Sequence, residues 1–291
     1  MHFGHVLTAM VTPFDKNNEV DYDVMTILIE HLLANGTEGL VITGTTGESA
    51  TLSEVEMKRI YEHVVHVVHK RVPVLAGTGT NNTKETIALT QIAEASQVDG
   101  IMLVSPYYNR PSQAGLYAHF KAVALATSLP IMLYNIPTRC SVHIQAETII
   151  KLSEIDNILA LKEASGDLDH TGMVIANCKA PFHVYSGDDS MTLPILSIGG
   201  VGVVSVASHI IGKEINELTH TFLAGNVERA SFLHRKYLPT MQALFLAPSP
   251  APTKYALGQL GIDVGPVRLP LVDLTEAEQQ IVDQYIVNPS P

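Results

Sequence analysis

The feature that most constrains this chain is a series of eight short apolar runs at regular intervals. They are Val6–Val11, Gly39–Thr43, Val72–Ala76, Gly100–Val104, Pro130–Tyr134, Ile158–Lys162, His183–Ser186 and Gly202–Val206. Each is rich in Val, Ile, Leu or Met and too short for a helix. Such runs fit strands buried on both faces, as in a parallel sheet. The segments between them have helical periodicity. From Asp21 to Asn35, the residues Val24, Ile27, Leu28 and Leu32 fall on one face, with acids at the start and Gly36 past the end. Ser53-Glu54-Val55-Glu56 reads as a capping box opening the next helix, and Asn82 with Glu85 as a similar start for the third. Eight strands alternating with helices over about 220 residues point to an α/β fold of the (β/α)₈ barrel type. A doubly wound open sheet is the alternative, and spacing alone leaves six or seven strands open. From Asn226 onward the pattern is helical, interrupted by Pro248-Ser249-Pro250-Ala251-Pro252. The expected organisation is a barrel over residues 1–225 with a helical extension over 226–291 packed on it.

With 291 residues the chain has enough material for one large core or two small ones. Hydrophobic residues make up 46% and charged ones 16%, so few charges are available to cover the surface and buried subunit interfaces are expected. The formal net charge of −11 argues against a nucleic-acid or anionic-membrane partner. An acidic protein that binds an anionic metabolite must place its few cations locally. Cys140 and Cys178 make no disulfide framework and fit a reducing compartment. The opening Met1-His2-Phe3-Gly4-His5 has no signal-peptide pattern, and no apolar run reaches membrane-span length. The expected location is the cytoplasm.

Lys162 is the most informative single residue. It closes the run Ile158-Leu159-Ala160-Leu161 and is followed by Glu163-Ala164-Ser165-Gly166-Asp167. An ammonium is rarely buried without a partner, and a desolvated lysine has a lowered pKa. Only the neutral amine attacks a carbonyl, so a strand-end lysine in a dry pocket is a candidate Schiff-base nucleophile. The competing reading is a lysine that snorkels outward or makes a structural ion pair. In a barrel, however, site residues collect at the C-terminal ends of the strands. Thr45 and Thr46 follow the second run, Tyr107 and Tyr108 the fourth, Tyr134 ends the fifth and Gly187 follows the seventh. That convergence favours chemistry at Lys162.

The neighbouring candidates each have a plain structural alternative. Gly44-Thr45-Thr46-Gly47-Glu48-Ser49 links a strand to a helix and offers backbone N–H groups to a small carboxylate; otherwise it is an ordinary turn. It lacks the lysine of a P-loop and the spacing of a dinucleotide fingerprint. A phenol at Tyr134 suits proton transfer at a carbinolamine, or is a core tyrosine with a satisfied hydroxyl. Arg139 could grip a carboxylate through two parallel hydrogen bonds, or sit on the surface. Tyr107 and Tyr108 are adjacent on a loop, so one is expected to face the site and the other a subunit interface. His63, His66 and His69 recur every three residues but spread over too wide an arc for a metal site, and no other His/Cys cluster has metal spacing. No metal is expected.

Together Gly44–Ser49, Pro106–Pro111, Tyr134-Asn135-Ile136-Pro137, Leu161-Lys162-Glu163-Ala164 and Ser186-Gly187-Asp188 resemble the dihydrodipicolinate synthases and their pyruvate-lyase relatives, in that order along the chain. Pro248–Lys254 in the tail is also similar. The resemblance implies a class I aldolase-type barrel in which Lys162 forms an imine with pyruvate, and no cofactor beyond that covalent imine. The derived enamine would attack aspartate semialdehyde in lysine and diaminopimelate biosynthesis. It further implies a proton relay of Tyr134, Thr45 and Tyr108, with Tyr108 reaching a neighbouring subunit, and Thr46 on the pyruvate carboxylate. Gly187 and Val204 would offer backbone groups near Lys162, Arg139 would bind the semialdehyde carboxylate, and Arg110 would stand near the entrance. A homotetramer built as a dimer of dimers is the implied assembly. Relatives include sialic-acid lyases and 2-keto-3-deoxy acid aldolases, so a sugar-acid lyase is the alternative activity, and a non-catalytic barrel binding a keto acid or lysine a third. Arg139 and Thr45 resemble the synthase pattern. Ser49, Ala50, Asn81, Glu85 and Tyr107 match an inhibitory lysine site, to which Glu54 could add a contact. Glu54 and Met57 stand where strongly regulated bacterial enzymes have histidines.

Overall fold

The computed structural model describes residues 3–286. Met1 and His2, which open the N-terminal stretch read above, and residues 287–291 of the tail lie outside it. The eight apolar runs form eight parallel strands in one closed barrel, each hydrogen-bonded to the next in chain order and the last to the first. In order the elements are β1 (Val6–Ala9), α1 (Tyr22–Ala34), β2 (Gly39–Ile42), α2 (Glu54–Val68), β3 (Val74–Gly77), α3 (Thr83–Ala95), β4 (Gly100–Val104), α4 (Gln113–Ala124), β5 (Ile131–Asn135), α5 (Pro137–Cys140), α6 (Ala146–Leu152), β6 (Ile158–Glu163), α7 (Leu168–Asn177), β7 (His183–Ser186), α8 (Thr192–Ser197), β8 (Gly202–Ser205) and α9 (Ser208–Leu223). Three further helices follow: α10 (Val227–Ala243), α11 (Ala251–Gln259) and α12 (Glu276–Ile286).

Local chemistry sets the boundaries. Asp21 caps α1 by accepting from the Val24 N–H, and Ser53 and Glu56 close a reciprocal capping box at α2. Asn82 caps α3 by accepting from the Lys84 and Glu85 N–H groups. This corrects the box expected there: Glu85 supplies its backbone, while its carboxylate accepts from the Thr80 hydroxyl. Proline also trims two strands. β3 starts at Val74 and β5 at Ile131, because Pro73 and Pro130 have no N–H to give the ladder; their carbonyls still accept from Leu40 and Ile101. His69 leaves the α2 helix with φ 48°, so the three-residue histidine spacing does not persist on one cylinder. Among the described residues no group of three or more His, Cys, Asp or Glu side chains is arranged to hold a metal ion, and no helix is long and apolar enough to cross a membrane.

Strand alternation divides the core. Ile131 and Leu133 of β5, with Leu161 of β6, face the surrounding helices, whereas Met132, Tyr134 and Ala160 fill the barrel interior with Leu7, Val41 and Tyr185. A separate apolar cluster joins α9 to α10–α12. The tail also reaches the barrel through charge: Lys254 Nζ lies 2.7 Å from Glu48 Oε1, both side chains buried, and the Arg268 N–H donates to Glu48 Oε2 at 2.8 Å.

Candidate active site

The ladder between β5 and β6 sets Tyr134 opposite Lys162 and Asn135 opposite Glu163. The pleat then sends the first pair into the barrel mouth and the second pair outward. β6 extends one residue past the expected run, to Glu163, whose carbonyl accepts from the Gly187 N–H at 2.7 Å. Lys162 and Tyr134 are 5% and 4% exposed, so the amine sits in an enclosed space. Its Nζ lies 4.3 Å from the centre of the Tyr134 ring. Burial lowers the Lys162 pKa to about 8, against the opposing pull of buried Asp189 and with help from the Arg139 charge. Burial likewise raises the Tyr134 phenol, opposed by Arg139 and a hydrogen bond with Thr45, so the phenol keeps its proton at neutral pH. The pair therefore offers an amine partly neutral near pH 7 and a phenol able to donate.

A cavity of about 290 Å³ opens on this pair at the C-terminal mouth. Thr45, Thr46, Tyr134, Arg139, Lys162 and Gly187 all line it. Gly187 is there for clearance: a Cβ at this position would stand 2.9 Å from Ala164 Cβ and 3.0 Å from Lys162 Cγ. Arg139 lies exposed on the single turn α5, which Pro137 opens directly after β5. In the Gly44–Ser49 turn, the N–H groups of Glu48 and Ser49 are used internally, on Thr45 and Gly44 carbonyls. Those two N–H groups are therefore not free to receive an anion.

Other expected residues stand apart from the cavity within one chain. Tyr108 is 90% exposed with φ 70°, and Arg110 is exposed with φ 48°. Val204 is buried within β8, paired with Leu7, and its neighbour Val206 lines the cavity instead. Ser49, Ala50 and Tyr107 line a second hollow that shares Thr45 and Arg139 with the first, whereas Glu54, Asn81 and Glu85 do not line it. Glu54 is exposed in the first turn of α2, and the Asn81 carbonyl accepts from the Asn109 amide at 2.9 Å.

Two contributions escaped the sequence reading. Asp189 is buried beside the amine; it accepts from the Ser205 hydroxyl and from the Val206 and Ala207 N–H groups, both at 3.0 Å. The only sequence signal for it is the doubled acid Asp188-Asp189 after Ser186-Gly187. The tail supplies Phe245 and Ser249 to the cavity wall, which its helical periodicity could not announce.

A (β/α)₈ barrel with a desolvated lysine beneath a phenol at its mouth has the constitution of an imine-forming enzyme of the class I aldolase type, a lyase. Comparison with known proteins narrows the class. A profile of the dihydrodipicolinate synthetase family matches residues 2–288. The 4-hydroxy-tetrahydrodipicolinate synthase 2 of Halalkalibacterium halodurans is 61% identical over 280 residues, 96% of each chain. The crystal structure of a dihydrodipicolinate synthase from Bacillus anthracis superposes with a TM-score of 0.97 at 50% identity, covering 99% of this chain and 98% of that one. The chloride-inhibited enzyme of Acinetobacter baumannii, solved with pyruvate, superposes at 0.96 with 36% identity, covering 99% of each. The chain belongs to the dihydrodipicolinate synthetase family.

Proposed function

We propose that this protein acts as a 4-hydroxy-tetrahydrodipicolinate synthase, condensing pyruvate with L-aspartate 4-semialdehyde in lysine and diaminopimelate biosynthesis. The observation that carries the reading is the buried Lys162 amine against the Tyr134 ring in a cavity flanked by Arg139. The neutral amine attacks C2 of pyruvate, and the carbinolamine loses water to give the imine. Loss of a methyl proton gives an enamine whose carbon attacks the aldehyde. The amino group of the semialdehyde then adds to C2, closing the ring and releasing Lys162. Tyr134, Thr45 and a Tyr108 from a neighbouring copy pass the protons; the exposure of Tyr108 supports that arrangement. Thr46 holds the pyruvate carboxylate, Gly187 and Val204 present backbone groups, Arg139 takes the semialdehyde carboxylate and Arg110 stands at the entrance. The only covalent adjunct is the substrate imine. The reading places the enzyme in the cytoplasm as a homotetramer, a dimer of dimers.

Ser49, Ala50, Asn81, Glu85 and Tyr107 form the candidate lysine site, with Glu54 at its edge. Glu54 and Met57 stand where the strongly regulated enzymes have histidines, and a calorimetric titration showing no lysine binding at millimolar concentration would remove this site. The activity is tested by borohydride reduction with pyruvate followed by mass spectrometry: an adduct on Lys162 is expected, and its absence removes every imine reading. Turnover of pyruvate with the semialdehyde, set against sialic acid and deoxy-keto acids, then separates the synthase from a sugar-acid lyase.

A further inference from the structure

Behind the Lys162–Tyr134 pair, on the outer face of the same two strands, lies a closed set of polar side chains that the chemistry above does not use. Asn135 Nδ2 donates to Glu163, at 2.9 Å to Oε2 and 3.2 Å to Oε1, and approaches His143 Nδ1 at 3.2 Å. His143 Nε2 is 3.3 Å from His170 Nδ1, and His170 Nε2 is 3.3 Å from Glu163 Oε2, long and bent for a hydrogen bond. Asn135, Glu163 and His170 are buried and His143 half-buried.

The directions of these bonds are fixed by the group that closes the set. The Ile144 N–H donates to Asn135 Oδ1 at 3.0 Å, so the amide NH₂ must be the part that faces Glu163 and His143. His143 Nδ1 then accepts, which places its proton on Nε2. His170 Nδ1 accepts in turn, and its Nε2 stands 3.3 Å from Glu163 Oε2 without hydrogen-bond geometry. Each ring nitrogen of His143 thus has one role, and that imidazole is neutral. A further proton on His143 would turn its Nδ1 from an acceptor into a donor facing the Asn135 amide.

We propose that Asn135, His143, His170 and Glu163 form a ring of positioning residues, with donors running both ways round from Asn135 to Glu163, that holds Lys162 against Tyr134, and that the ring holds only while His143 is neutral. The leverage is geometric: Asn135 and Glu163 are the next residues after Tyr134 and Lys162 on paired strands, and the ring ties them to α7 and to the loop before α6. Glu163 is also fastened by the Ser165 N–H at 2.6 Å and, through its carbonyl, to Gly187. Titratable groups facing His143 are Glu163 from β6, Asp167, the cap of α7, and His170 from α7 itself; from α4 the Gln113 amide donates to the His143 carbonyl. Burial, then His170, lowers the His143 pKa against the two acids, in keeping with a neutral ring at pH 7.

This inference rests on the imine reading of Lys162, and the test separates the two. Three variants are compared with wild type from pH 5 to 8: His143→Phe, His143→Gln and Glu163→Gln. The readouts are kcat, KM for pyruvate and the rate of borohydride-trapped adduct formation on Lys162, with cooperative unfolding checked for each. His143→Phe and Glu163→Gln should lower kcat about tenfold or more while moving KM for pyruvate less than about threefold, the mark of misplacement rather than lost binding. His143→Gln, which keeps an acceptor and a donor, should recover most of the loss. Toward the acid end of that range wild type should fall more steeply than protonation of Lys162 alone allows, and His143→Gln should not. A folded His143→Phe with wild-type kcat overturns the proposal, as does a His143→Gln as impaired as His143→Phe with the wild-type pH profile. If either His143 variant fails to fold, an unimpaired Glu163→Gln has the same force. Wild type that forms no adduct removes the imine reading itself; an adduct formed equally by all variants removes only the ring.

Discussion

At the scale of single residues, Lys162 trades stability for reactivity. With its pKa about 8, roughly a tenth of the amine is neutral at pH 7, about three-hundredfold more than for an exposed lysine. Adduct formation should therefore climb about tenfold per pH unit below pH 8 and flatten above it. The same shift costs stability. Between about pH 8 and 10.5 the unfolded chain holds a proton on this lysine that the folded chain does not, so stability rises with pH across that window. Below pH 8 the full penalty remains, on the order of 3 kcal/mol. Lys162→Met should abolish turnover yet raise the denaturant midpoint at pH 7, an advantage that shrinks as pH approaches 10; a midpoint below wild type at pH 7 would refute the account. Gly187 tests the clearance around the amine. Gly187→Ala places a methyl 3.0 Å from Lys162 Cγ. It should slow adduct formation about a hundredfold, as displacements near 1 Å do, with a far smaller effect on the unfolding midpoint.

At the scale of elements, what was legible was whatever repeats along the chain. Strands buried on both faces are written as unbroken apolar runs, and helix starts as caps, so Ile158–Lys162 and Ser53–Glu56 could be read directly. The convergence of Thr45, Tyr134, Lys162 and Gly187 followed from counting which end of each strand they occupied. Groups joined only through tertiary contact left no such trace. His143 and His170 are 27 residues apart and meet only because β5, β6 and α7 pack side by side. Glu48 and Lys254 are more remote still, and their pairing ties α11 to the turn that carries Thr45 and Thr46. Removing one partner leaves a buried charge behind. Lys254→Met should cost about 3–5 kcal/mol, measured by denaturant unfolding, and adding Glu48→Gln to it should return most of that loss. A double variant no more stable than Lys254→Met would mean that the Lys254 ammonium, 4.2 Å from the centre of the Phe14 ring, makes the connection through that ring rather than through Glu48.

At the scale of the whole molecule, one barrel supplies most of the proposed machinery but leaves Tyr108 facing outward, 90% exposed on its loop. A tyrosine so placed serves its own Lys162 poorly and a neighbouring copy well, if two chains meet around that loop. Complementation decides the matter. Lys162→Ala lacks the nucleophile and Tyr108→Phe lacks the relay hydroxyl, so each homo-oligomer should be nearly inactive. Unfolding and refolding the two in equal amounts would assemble mixed pairs. In a mixed pair, the site holding Lys162 receives an intact Tyr108 from the Lys162→Ala chain, while the other site is doubly defective. Random assembly makes half of all pairs mixed, with one good site in two, so activity should recover to about a quarter of wild type. If Tyr108 instead served its own barrel, no arrangement of the two variants would contain a complete site, and the mixture would stay as inactive as its parts.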